Sequence, residues 1–252
     1  MALAAGFAFV FGAVLGSFVS VVAHRVPRNE SVAGGRSKCP RCGHQIAAYD
    51  NIPIVSWFLL RGRCRHCGWR ISARYPLVEA ALGLGFAGAV LVLRDDPTQL
   101  ELGLVLLTTL AAVTLTDLEQ RLIPNSILIV SAVIGLAVAA TDPPGLGERA
   151  IAAAAAGGFF LLAALAYPRG MGMGDVKLAA LIGFFLGRAV APAILVALLS
   201  GAVVGIAILA RKGVEGRKQA VPFGPFLALG GLVGLLAGSE ILDWYLDSFI
   251  NS

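Results

Sequence analysis

The sequence predicts an all-α membrane protein of about eight transmembrane helices, with a cytoplasmic cysteine-bearing loop inserted between spans one and two. Three observations predict it. Of 252 residues, 58% are hydrophobic and only 14% charged, against about 45–50% and about 25% in ordinary soluble domains. The apolar residues gather in charge-free stretches, and the mean hydropathy is +0.82. Half of the 20 Lys and Arg residues crowd into one segment, 24–76, which carries only Glu30 and Asp50 as acids. This bias excludes a disordered chain, a secreted disulfide scaffold and a water-soluble globule.

The first apolar stretch, 1–23, lacks a basic start and ends at His24-Arg25 instead of at small residues. It reads as a retained span and not as a cleaved signal. After the basic segment the charge-free stretches are 80–93, 102–116, 122–141, 150–168, 178–187, 189–210 and 219–239. A spanning helix needs about 20 apolar residues, so 80–93, 102–116 and 178–187 are short. They border Glu79, Asp117 and Asp175 respectively. Each must draw its carboxylate to the headgroup boundary, where an ionisable group is costly and marks a functional site.

The positive-inside rule decides whether 178–187 crosses. With eight crossings and both termini outside, the inner loops 24–76, 118–121, 168–177 and 211–218 collect 17 of the 20 Lys and Arg residues. Omitting the sixth span would send the basic 211–218 loop outside. The division that follows is a first helix (1–23), a basic loop (24–76) and a seven-helix membrane core (77–252). Asp117 closes the third span and Asp175 opens the sixth, so both belong to the cytoplasmic face.

All four cysteines lie in the basic loop, as Cys39-Pro-Arg-Cys42-Gly and Cys64-Arg-His-Cys67-Gly. A Cys-x-x-Cys turn aims two thiolates at one tetrahedral ion, and two such turns complete a structural zinc shell. The 21 residues between the pairs slightly exceed the usual ribbon spacing. A cytoplasmic loop disfavours stable disulfides. His44 and His66 read as surface residues, since four cysteines need no further ligand. Tethering at both ends and the lack of an aromatic platform beyond Trp69 argue against nucleic acid.

The acids sit in Thr116-Asp117-Leu118-Glu119-Gln120-Arg121-Leu122-Ile123-Pro124 and in Gly170-Met171-Gly172-Met173-Gly174-Asp175. Asp117 can cap a helix or pair with Arg121; Asp175 can be an N-cap. No phosphate-binding motif follows the glycines. Two acids sharing one proton hydrolyse an amide, one activating water while the other protonates the leaving amine. Gly172 and Gly174 would let an extended chain approach closely or take positive φ. An ion- or proton-coupled transporter uses intramembrane carboxylates as well, and residue spacing leaves both readings open. Glu79 can bind a substrate cation or pair with Arg74, Lys177 can snorkel, and the Pro222-Phe223-Gly224-Pro225 segment can shape a groove or break a helix.

Taken in order, these pieces resemble the type IV prepilin peptidases. The resemblance runs from Gly16-Ser17-Phe18 and His24-Arg25-Val26-Pro27 through both cysteine pairs and the 50–57 segment. It continues through Gly62-Arg63-Cys64-Arg65, the 71–79 segment and both aspartate motifs to Val221-Pro222-Phe223-Gly224-Pro225-Phe226. Gly172-Met173-Gly174-Asp175 is also similar to the G-x-G-D motif of intramembrane aspartyl proteases. The resemblance implies a multi-pass protein of the bacterial inner membrane, with Asp117 and Asp175 as catalytic acids at the cytoplasmic face. It implies cleavage of a short basic leader from prepilins or pseudopilins. It further implies methylation of the new N-terminus from S-adenosylmethionine, an activity associated with the 24–76 loop.

Overall fold

The structure is a computed structural model that describes residues 1–32, 34–168, 170–213 and 221–249. It divides into two compact units, Met1–Leu91 and Val92–Ser252. The described residues form helices and turns, with two isolated bridges and no strand.

Unit 1 is built on α1 (Ala2–Arg25) and α3 (Arg74–Val92), with the short α2 (Val55–Leu59) in the loop between them. Hydrophobicity alone gives helices no reason to associate inside a lipid phase, so close contact depends on small residues. A Cβ on Gly12 would stand 2.7 Å from the Leu82 carbonyl oxygen, and one on Gly16 would stand 2.8 Å from the Glu79 Cα. Gly12, Ala13, Gly16, Val19, Ser20 and Ala23 are the buried residues of α1. Their spacing of three to four marks one helix face.

Unit 2 contains α4 (Pro97–Gln120), α5 (Asn125–Ala139), α6 (Pro143–Ala166), α7 (Met173–Leu186), α8 (Val190–Lys212) and α9 (Gly224–Phe249). Asp96 starts α4 by accepting the Gln99 N–H at 2.8 Å, with Pro97 in the first turn where a missing N–H costs nothing. Glycines again set the spacing. A Cβ on Gly183 of α7 would lie 2.5 Å from the Ala152 carbonyl oxygen of α6, and one on Gly230 of α9 would collide with the Ala193 carbonyl oxygen of α8.

Two sets of polar side chains cross-link the helices of the bundle. The Thr109 and Ser131 hydroxyls lie 2.6 Å apart and join α4 to α5. Buried Arg149 donates to the Phe185 carbonyl and to Oε1 of Gln99 in the first turn of α4, both at 3.0 Å, tying α4, α6 and α7 together.

The eight charge-free stretches correspond to the eight long helices α1 and α3–α9, six of whose segments are long and apolar enough to cross a membrane. The difference has two sources. α7 and α8 run on within one apolar stretch, 173–212, and are separated only where Gly187 turns with φ +57°. α5 has just 15 residues and α7 just 14, about 21–23 Å of helix against a hydrocarbon core of about 30 Å. The helices also run past the predicted limits, so Glu79, Asp117 and Asp175 lie within α3, α4 and α7. The last helix begins at Gly224 and not at 219. Among the cations used for topology, Arg169, Arg217 and Lys218 lie outside the described residues.

The α8–α9 contact generates a prediction. Gly230→Val overpacks it and costs about 1–3 kcal/mol, read as a lower unfolding midpoint of the detergent-solubilised protein. Gly205→Val in α8, where nothing lies within 4 Å, leaves the midpoint unchanged.

Candidate active site

The last turn of α4 carries Thr116, fully buried, and Asp117, 6% exposed. The helix stops because Arg121 takes the left-handed conformation (φ +53°), its N–H returning to the Asp117 carbonyl at 2.9 Å. Pro124 then starts α5. A carboxylate buried at a helix end needs donors, and Asp117 finds one across the bundle. Its Oδ2 accepts the Gly224 N–H at 2.8 Å. Gly224 opens α9, so this donor belongs to a helix N-terminus, which favours negative charge. A Cβ there would stand 2.7 Å from that same oxygen and push the carboxylate off the N–H.

Asp175 occupies the first turn of α7. Gly172 is the N-cap and Asp175 lies three residues on, where its Oδ2 accepts the Gly172 N–H at 3.2 Å. Asp175 is therefore not the N-cap itself. Neither Gly172 nor Gly174 takes a positive φ. Gly174 is needed for close approach, since its Cβ would meet the Ile123 side chain at 2.9 Å. This packs the start of α7 on the turn that follows Asp117. Lys177 adds a tie by donating to Asn125 Oδ1 at 2.9 Å, joining the first turns of α7 and α5.

The ends of α4, α7 and α9 thus meet around two acids, and the charge of Asp117 acts on Asp175. Each acid engages a backbone N–H through Oδ2 only; among the described residues neither Oδ1 has a hydrogen bond. Each carboxylate therefore keeps one oxygen to exchange a proton with a water or a peptide amide. Gly224 went unassigned in the sequence. Its signals were a glycine set between two prolines, in a segment read as a groove or a helix break, and that segment's part in the family resemblance.

In unit 1 the two cysteine pairs fold as near copies. Cys39 N–H donates to the His44 carbonyl at 2.9 Å and Cys64 N–H to that of Trp69 at 2.8 Å. Gly43 and Gly68 turn with φ +69° and +68°. The four sulfurs lie within 4.8 Å of one another, with Cys39 and Cys67 Sγ 3.8 Å apart. Four sulfurs about 2.3 Å from one tetrahedral ion would be about 3.8 Å apart, so the cluster can hold a metal ion. All four are free thiols. Backbone N–H groups of Cys42 and Arg41 pull the Cys39 thiol down to about 6. Cys67 goes the other way, to about 11: the Trp69 N–H favours its thiolate, but desolvation and sharing with the other three sulfurs outweigh it. Four thiolates cannot all ionise at one point without a cation, and a divalent ion removes that obstacle. His44 and His66 stack on each other at 3.4 Å between ring centroids.

Glu79, 7% exposed, receives the Ile54 N–H at 2.7 Å. Ile54 sits at φ +63°, an outlier for a β-branched residue. The bond therefore holds a strained turn of the loop against α3. Asp50 is likewise engaged: Arg65 donates to both its oxygens, at 2.8 and 2.6 Å, and holds its carboxyl below the ordinary range.

Comparison with known proteins matches residues 10–93 to the model of the bacterial peptidase A24 N-terminal domain and residues 104–209 to that of the type IV leader peptidase family. The first match ends two residues past the boundary between the units, and the second lies wholly within unit 2. Proteins named prepilin leader peptidase/N-methyltransferase are similar along most of the chain. The one from Aeromonas salmonicida (strain A449) is 34% identical over 96% of this chain and 94% of its own. That of Bacillus subtilis (strain 168) is 36% identical over 94% and 96%, and that of Myxococcus xanthus (strain DK1622) 41% over 86% and 66%. No solved structure matches.

The Glu79 contact yields a prediction. Glu79→Ala leaves a buried N–H without an acceptor and costs about 1–3 kcal/mol; limited trypsinolysis of the full chain should then cut faster at Arg61. Glu79→Gln keeps an acceptor and cuts like the wild type.

Proposed function

We propose that this chain, which belongs to the type IV leader peptidase family, is a membrane aspartyl endopeptidase that removes the short basic leader of prepilin-like proteins and then N-methylates the new terminus. The observation that supports the reading is the placement of Asp117 at the end of α4 and Asp175 in the first turn of α7, which packs through Gly174 on Ile123 just after α4, each acid with an uncommitted oxygen. Nothing in the comparisons favours an ion-coupled transporter.

The chemistry follows from the arrangement. One acid, ionised, takes a proton from water as its oxygen attacks the scissile carbonyl. The other, protonated, donates to that carbonyl oxygen. The proton held by the first then passes to the leaving nitrogen as the C–N bond breaks. The reaction needs the two acids in unlike protonation states, and one proton shared between them supplies that division. The Gly224 N–H keeps Asp117 oriented through this cycle, as the Gly172 N–H keeps Asp175.

Cys39, Cys42, Cys64 and Cys67 hold a zinc ion that braces the 24–76 loop, a structural role that leaves hydrolysis to the acids. The methyl group is supplied by S-adenosylmethionine. The cation-rich loops set the active face toward the cytoplasm of a bacterial inner membrane. The functional division is a first span (1–23), the zinc loop (24–76) and the peptidase core (77–252).

Asp117→Asn and Asp175→Asn should each lower prepilin cleavage by at least about 10²-fold, while protein yield stays unchanged. Product shortening on gels measures this, and wild-type cleavage by either variant removes that residue from the mechanism. Elemental analysis should return about one zinc per chain, because four thiolates complete one tetrahedral shell. The metal should be lost as pH falls and the thiolates protonate. Cys39→Ser and Cys64→Ser should each lower the zinc content.

A further inference from the structure

We propose that the loop of unit 1 docks on the bilayer surface through α2, with an apolar stripe among the acyl chains and arginines against anionic lipid headgroups. Val55, Phe58 and Leu59 are 50%, 66% and 77% exposed, and their spacing of three and four puts them on one face of the helix. Ile52, just before α2, is 48% exposed. Large apolar side chains grouped this way on a surface mark a contact site.

The exposure is imposed by the other face of the helix. Ser56 is buried; its hydroxyl donates to the Tyr49 carbonyl at 3.0 Å and accepts the Ile52 N–H at 3.1 Å. Trp57 donates through Nε1 to the Ile71 carbonyl at 3.1 Å, and its ring covers Gly62, whose Cβ would meet it at 2.9 Å. These bonds lock α2 with its apolar stripe outward. α2 cannot roll to bury the stripe without breaking them.

Charge and tethering identify what covers the stripe. Arg61, Arg63 and Arg70 are exposed close by in the chain, in a segment of ten cations and two acids. Asp50 is already engaged by Arg65. An apolar stripe beside arginines is the composition of a helix lying in the membrane interface, where long cationic side chains reach the phosphates. A basic polypeptide, or a second copy of this loop, would be repelled by the same charges. The loop also leaves α1 at Arg25 and returns at Arg74, two ends of apolar helices. Tyr75 and Leu77, 44% and 66% exposed, extend the apolar exterior of α3 up to the loop.

The test places the photoreactive residue p-benzoylphenylalanine at Phe58 or Leu59 of the full chain, reconstituted in phosphatidylethanolamine/phosphatidylglycerol vesicles. After irradiation, mass spectrometry should find lipid adducts at both positions, in several-fold higher yield than at exposed Gln45. Arg61→Glu/Arg63→Glu in the Phe58 probe variant should reduce that yield several-fold. Cross-links to residues 92–252, to a second copy or to an added prepilin, in place of lipid, would overturn the proposal. So would no lipid adduct, a yield at Gln45 equal to that at Phe58, or a yield unchanged by charge reversal. Zinc content equal to that of the unsubstituted protein verifies that each probe variant keeps its folded loop.

Discussion

The hydrogen bond from the Gly224 N–H to the Asp117 carboxylate is the contact on which the acidic site depends. It resolves a problem set by the sequence, because α4 is apolar nearly to its end and then buries an acid. A buried carboxylate without a donor would be protonated or would unfold the helix end. The first N–H of α9 supplies the donor, and a Cβ on residue 224 would push the carboxylate off it. The site is therefore a property of packing between helices far apart in sequence, and α9 must sit where it does for Asp117 to be a usable acid.

Small residues make that packing possible. Gly183 against α6, Gly230 against α8 and Gly174 against Ile123 bring backbones close in a setting where apolar surface alone does not drive association. The short α7 matters as well. With 14 residues it falls short of a full span, and its first turn packs through Gly174 on Ile123, just after the end of α4. Length, glycine placement and the two acids are parts of one constraint.

Much of this was readable in the sequence, for physical reasons. Charge-free stretches reported helices, because burying charge in lipid is costly. The short stretches bordering Glu79, Asp117 and Asp175 signalled that helices run past their apolar parts, as α3, α4 and α7 do. The repeated Cys-x-x-Cys-Gly pattern encoded two turns of the same shape, because each needs a positive-φ glycine and a bond back to the first cysteine. Long-range partners were not readable. Nothing local to Gly224 announces Asp117, nothing near Lys177 announces Asn125, and the donor to Glu79 is a backbone N–H that no side-chain pattern can mark. Of the two roles the sequence offered for Gly174, close approach and positive φ, the structure shows the first, and both leave the same residue in the sequence.

The central claim is that Asp117 and Asp175 work as one acid pair. The most direct test is the cleavage rate of the double variant Asp117→Asn/Asp175→Asn beside the two single variants. Groups that act as a unit are strongly non-additive, so the double variant should retain the same residual rate as either single one. A double variant slower by the product of the two single losses would mean that the acids act independently, and would contradict the account.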